Sequence, residues 1–225
     1  PARITDNLFQ GNWANSAAPQ DGFYFSGYGG GLYVKGPGVW VERNRILDNV
    51  AARNAGINYT SEAFGGGICV GTTLNTVVTM TNNILAGNRH CADCGYLYGY
   101  YRGGGAIAVG GYTRPADTRL HLYHNTIADN QSPAVFNESA ALTMSHTILS
   151  GHDVDLRAIL DSSGAEDSLP PTNAADHTLW WPAMTTDIVS GTWTHTNDLT
   201  GDPDFVSTAL DDYHLDVDSQ AVDQG

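Results

Sequence analysis

Apolar and polar residues alternate for four or five positions, the phase resets, and the alternation begins again, five times between residues 4 and 152. The copies are 4–12 (ITDNLFQGN), 39–49 (VWVERNRILDN), 78–88 (VTMTNNILAGN), 120–130 (LHLYHNTIADN) and 142–152 (LTMSHTILSGH). Aligned on their last residues, they stack Ile4, Val41, Met80, Leu122 and Met144 in one apolar column. A second apolar column holds Phe9, Ile46, Leu85, Ile127 and Leu149. Asn7, Asn44, Asn83 and Asn125 form a polar column broken by Thr147; Asn12, Asn49, Asn88 and Asn130 form another that ends in His152. Alternation with period two predicts strands, and self-similarity at a fixed spacing predicts a stacked repeat.

Asn tolerates the left-handed backbone better than other side chains, so each Asn marks a corner between short strands. A chain that bends at fixed corners and repeats its apolar columns is coiling. Its strands then pair in parallel about 4.8 Å apart around one continuous core, and stacked Asn side chains can hydrogen-bond along the ladder. Gly29–Gly30–Gly31–Leu32–Tyr33–Val34, Gly65–Gly66–Gly67–Ile68–Cys69–Val70 and Gly104–Gly105–Ala106–Ile107–Ala108–Val109 are copies of a third strand. In each, the first and third apolar residues (Leu32 with Val34, Ile68 with Val70, Ile107 with Val109) should face inward. The pattern predicts an all-β right-handed parallel β-helix with about three strands per coil. Residues 1–152 are expected to form the coils, and 153–225 an acidic C-terminal segment closing the helix. Residues 153–183 carry loop signals, with Pro170–Pro171 and Trp180–Trp181, and 187–194 a further short strand.

Between each second Asn and the next glycine strand lies an insertion of about sixteen residues: 13–28, 50–64 and 89–103. In a coil these leave one corner in successive turns and should stack into a wall. Of the chain's five Trp, eleven Tyr and six Phe, the insertions hold eleven residues, among them Trp13, Tyr24, Tyr28, Tyr59, Phe64, Tyr96, Tyr98, Tyr100 and Tyr101. Such rings either pack under the loops as a satellite core or form a stacking platform for sugar faces and partner surfaces.

Charge changes the picture next. Residues 1–150 carry nine acidic and nine basic side chains, whereas 151–225 carry fifteen acidic and one basic, Arg157. Phosphate binding needs Lys and Arg, so nucleic acid is excluded as the expected partner. No run of 18 apolar residues occurs, so no membrane span is expected. The chain opens at Pro1 directly into the first coil; solenoid ends need caps, so upstream sequence is expected. Cys91 and Cys94 lie in a His-Cys-Ala-Asp-Cys stretch that suits a local disulfide in an exported protein, or a metal with His90 and Asp93 if a second segment supplies ligands.

The tail reads Asp202-Pro203-Asp204-Phe205-Val206, then Asp212-Tyr213-His214-Leu215, then Ser219-Gln220-Ala221-Val222-Asp223-Gln224-Gly225. It resembles the segment that closes many secreted bacterial β-helix modules of the pectate-lyase-like superfamily, departing from that pattern at Gln220 and Val222. The Gly-Gly-Gly-Ile-x-Val and Asn-x-Ile-x-x-Asn repeats are similar to that superfamily as well. The resemblance covers most of the chain outside about 153–190 and implies an extracellular or cell-surface protein, but it does not specify an activity.

For chemistry, glycosidases use carboxylate pairs at set distances. Asp153 and Asp155 are the local pair, although residues two apart on a strand merely share a face. The lyases of the resembling superfamily need an Arg or Lys base, and Lys35, Arg43, Arg102, Arg114 and Arg119 show no clustering. His124 and His146 share a column and should stack, as an acid–base or metal cluster or as a plain histidine ladder. Calcium takes oxygen ligands, which Asp198, Asp202 and Asp204, or Asp211 with Asp212, could supply. The leading expectation is a non-catalytic recognition or scaffolding module for a polysaccharide or a neighbouring subunit. A polysaccharide lyase or glycosidase is the alternative, and end-to-end self-association through open strand edges is a third.

Overall fold

The structure, a computed structural model, describes residues 1–16, 26–53, 63–72, 75–92, 103–110, 118–138, 140–159 and 170–222. Over these residues the chain winds as a right-handed parallel β-helix of three faces. The first face holds Ala2–Thr5, Val39–Glu42, Val77–Thr81, Arg119–Tyr123, Ala141–Ser145, Thr172–Asp176 and Thr192–Thr196 in order. The second holds Leu8–Gln10, Arg45–Leu47, Ile84–Ala86, Thr126–Ala128, Ile148–Ser150, Leu179–Trp181 and Leu199–Thr200. The third holds Leu32–Val34, Ile68–Gly71, Ile107–Gly110, Val135–Glu138, Leu156–Ile159 and Thr186–Ile188.

The register is the one the columns predict. Ile4 pairs with Val41, Val41 with Met80, Met80 with Leu122 and Leu122 with Met144. The Phe9–Ile46–Leu85–Ile127–Leu149 column is likewise in register. These residues, with Ile68, Val70, Ile107 and Val109 of the third face, make one core.

Both corners are built on left-handed residues. The first corner places Asp6, Arg43, Asn82, His124, His146, His177 and Asn197 at φ between 50° and 59°; the second places Gly11, Asp48, Gly87, Asp129 and Gly151 at φ between 53° and 75°. The ladder Asn follows each of the first four corners. Its Nδ2–H donates to the Oδ1 of the next coil, at 3.1 Å from Asn7 to Asn44, 3.1 Å from Asn44 to Asn83 and 2.9 Å from Asn83 to Asn125. The second ladder repeats this from Asn12 through Asn49 and Asn88 to Asn130. Each Asn also satisfies backbone groups that a corner would leave orphaned.

The ladders run on past residue 152, where a closing segment was expected. Thr172–Asp176 pairs with Ala141–Ser145, and Thr192–Thr196 pairs with Thr172–Asp176. The pattern is lost there because the inward positions change character: Asn173 and Ala175 follow Leu142 and Met144. Buried Trp180, with Trp193 packed against it edge-on at 5.9 Å, fills the space those small residues leave. Thr178 and Asp198 continue the first ladder, the Asp198 carboxylate accepting the Thr178 N–H at 2.9 Å and the Trp180 Nε1–H at 3.0 Å.

Beyond Thr200 the chain forms an antiparallel hairpin, Phe205–Ser207 with Asp212–Leu215. It does not sit on the end of the helix. It doubles back along the second face, where Tyr213 packs on Leu47, Ala86 and Ala128 of three coils. Arg45 Nη2–H donates to the Asp211 carbonyl at 2.8 Å. The outward side of the second face is apolar in these coils, and the hairpin is what covers it.

Candidate functional site

The insertions begin in register. Trp13–Asn15, Val50–Ala52 and Arg89–Cys91 form a small parallel ladder as they leave the second corner, and Gly27–Tyr28 pairs with Ala63–Phe64 where two of them return. Of the aromatic candidates, Trp13 is exposed, at 45 %. Tyr28 stacks on fully buried Phe64, with ring centroids 5.5 Å apart, and Phe64 meets Phe136 edge-on. These three rings, with Cys69 and Ala108, are a satellite core on the outside of the third face. Tyr24, Tyr59, Tyr96, Tyr98, Tyr100 and Tyr101 lie outside the described residues.

Cys91 is disulfide-bonded, Cys94 lies outside the described residues, and Cys69 is free and buried. Burial pushes the Cys69 thiol up to about 12, so it stays protonated and inert. Beside Cys91, His90 is buried with Gly103 packed against its ring and no hydrogen bond to Nδ1. Burial lowers its pKa to about 4. The folded chain therefore resists a proton that the unfolded chain accepts from about pH 6.5 downward. Stability is expected to fall by about 3 kcal/mol between pH 6.5 and 4 from this group alone. Urea titrations of wild type and His90→Leu at pH 7, 5.5 and 4 check this: the variant should show the shallower loss, and parallel curves would refute it.

The carboxylate pair does not share a site. Asp153 is exposed, whereas Asp155 is fully buried. Asp155 Oδ2 accepts the Thr185 N–H at 2.9 Å, and Oδ1 lies 3.2 Å from His152 Nδ1. On its other side, His152 Nε2 lies 3.5 Å from Asn130 Nδ2. His152 thus takes the place of the next ladder Asn, and Asp155 anchors it. The tail carboxylates are also spent on the chain itself. Asp198 serves the ladder, Asp202 Oδ1 accepts the Asp204 N–H at 3.0 Å, and Asp212 contacts His214. Among the described residues, no group of three His, Cys, Asp or Glu is placed to hold a metal.

His124 and His146 do stack, with centroids 4.9 Å apart, and His177 extends the stack at 5.1 Å with its ring within 3° of parallel to His146. His tolerates the left-handed corner better than most side chains, so these three rings project from successive first corners. His146 Nδ1 is 2.7 Å from Ser145 Oγ. His177 Nδ1 is 3.1 Å from Asp176 Oδ2. Thr196 and Asn197 donate to Asp176 Oδ1, and with His177 they hold its carboxyl down at about 2.

The stack forms one wall of a recess of about 250 Å³. Its floor is the outward column Thr126, Ile148, Leu179 and Leu199 of the second face, and Leu215 and Ala221 of the tail form the far wall. His177 and the tail wall escaped sequence reading because both fall after residue 152, where the repeat is masked by the change of inward residues. No known protein family, curated protein or solved structure matches this chain.

Proposed function

We propose that this chain is a non-catalytic recognition module, displayed outside the cell, that presents its three insertions as one surface to a polysaccharide. The observation that carries the reading is the register at the roots: three insertions leave the same corner in adjacent coils through the paired strands Trp13–Asn15, Val50–Ala52 and Arg89–Cys91. A parallel ladder holds such segments about 4.8 Å apart, so the three insertions start side by side from one corner of the helix. Flat amphipathic rings present large area at low entropic cost, which suits the faces of sugars. Exposed Trp13 marks the first root of this surface. The disulfide at Cys91 supports an oxidising compartment, and the resemblance of the tail to secreted β-helix modules supports the same placement.

A glycan array probed with the purified chain is expected to give a polysaccharide signal. Trp13→Ala and Tyr100→Ala should each weaken it about tenfold, the usual loss when an aromatic anchor is removed. A silent array, or a signal that both variants leave intact, refutes the proposal.

A further inference from the structure

We infer that the recess between the histidine stack and the C-terminal tail binds a small organic carboxylate with an apolar body, and that it does so more tightly in acid. The first-corner column needs only residues that accept φ near 55°, and Asp6, Arg43, Asn82 and Asn197 meet that need in other coils. Three adjacent His at 4.9 and 5.1 Å are more than the corner requires. His146 and His177 are steadied through Nδ1 by Ser145 and Asp176. No partner is found for any of the three Nε2 atoms among the described residues.

The lining sets the ligand class. Ile148, Leu179, Leu199 and Leu215 offer an apolar bed beside the imidazole wall, and Thr126 adds a hydroxyl. A space of about 250 Å³ admits an aryl or branched alkyl body. A metal is disfavoured by the stacking: zinc draws its nitrogen ligands to about 2.0–2.1 Å from itself, closer together than rings stacked near 5 Å hold theirs. An anion meets no such obstacle.

The charge around the stack gives the pH dependence. The three imidazoles are the titratable side chains among the recess lining. Asp176 touches His177 from the side. Asp198, in the next coil, is occupied by the Thr178 and Trp180 N–H groups and lies 3.6 Å from His195. The neutral Asn82 and Asn197 flank the stack, and the tail brings apolar Leu215 and Ala221. Imidazole as a side-chain class changes charge between pH 5 and 8. A carboxylate in the recess attracts a protonated ring, so anion binding and proton uptake reinforce each other. Neither the loop surface nor its ligand enters this linkage.

The test is calorimetry of the full chain with benzoate, benzamide and glucuronate at pH 5.5 and 8. Benzoate should bind about tenfold more tightly at pH 5.5, the scale of a charge-assisted hydrogen bond, with net proton uptake across buffers of different ionisation enthalpy. Benzamide and glucuronate should bind at least tenfold more weakly than benzoate at pH 5.5. His146→Asn keeps a corner-compatible residue and should remove most of the pH dependence. Benzoate binding that is absent, equal at both pH values, matched by benzamide or glucuronate, or unchanged in a folded H146N overturns the inference. The wild-type comparison decides by itself if that variant fails to fold.

Discussion

Gly66→Ala is expected to destabilise the protein by about 3 kcal/mol or more, although it adds a single methyl group. A Cβ on Gly66 would lie 2.3 Å from both the carbonyl carbon and the oxygen of Arg89, and 2.5 Å from its nitrogen. These are main-chain atoms of the strand from which the third insertion leaves, and no rotamer change can move them aside. The same contact recurs one coil down, where a Cβ on Gly30 would meet Val50, and one coil up, where Gly105 would meet Gln131. The second glycine of each copy is therefore the point where the third face crosses the chain leaving the second corner in bare backbone contact, at the root of an insertion for Gly30 and Gly66. Moving the strands apart would also strain the Gly66 N–H to Gly104 carbonyl bond and the Gly31 N–H to Gly66 carbonyl bond. Gly11→Ala is the control: its φ is +65°, with nothing within 4 Å of the added Cβ, so it carries only the left-handed cost of about 1 kcal/mol. Urea unfolding followed by circular dichroism should rank Gly66→Ala well above Gly11→Ala. Equal losses would mean that the contact yields and the glycine serves conformation alone.

Those glycines, the two Asn columns and both inward apolar columns were legible because a stacked repeat imposes the same demand on each coil. Where that demand relaxes, the sequence falls silent. Asn173 and Ala175 occupy inward positions because Trp180 reaches across the core to fill the space, with Trp193 following Asn173 in the next coil, a trade between strands that no single strand records. The hairpin carrying Tyr213 was misplaced for a related reason. Leu47 and Ala86 point outward and are nonetheless buried, so an outward apolar column was the available sign that something lies along the second face. The first His pair was visible by alignment, but His177, and with it the recess, depended on recognising the sixth coil. Phe64 shows the limit of composition: counted with the aromatic wall, it is fully buried against Tyr28 and Phe136.

Asn88→Ala should cost about 3–5 kcal/mol, whereas Asn12→Ala, the same change at the first coil of that ladder, should cost about 1 kcal/mol. Asn88 is fully buried at the middle of its ladder. Its Oδ1 accepts the Asn49 N–H and Nδ2–H, each at 3.0 Å, and its Nδ2–H donates to the Ile46 carbonyl at 2.8 Å and to Asn130 Oδ1 at 2.9 Å. Truncation strands the Asn49 N–H and weakens the satisfaction of Ile46 and Asn130 in a dry corner. Each buried group left unmade costs about 1–3 kcal/mol, and the lost side-chain volume adds a cavity. Asn12 is exposed, and its Oδ1 has no Asn below it to serve among the described residues. Nearest-neighbour coupling in a solenoid then makes the position in the file decide the cost: one residue type, one corner geometry and one ladder, with stability loss rising from the end to the middle. Denaturation of the two variants side by side measures that gradient. A flat result would show that the Asn columns fill corners without binding the coils together.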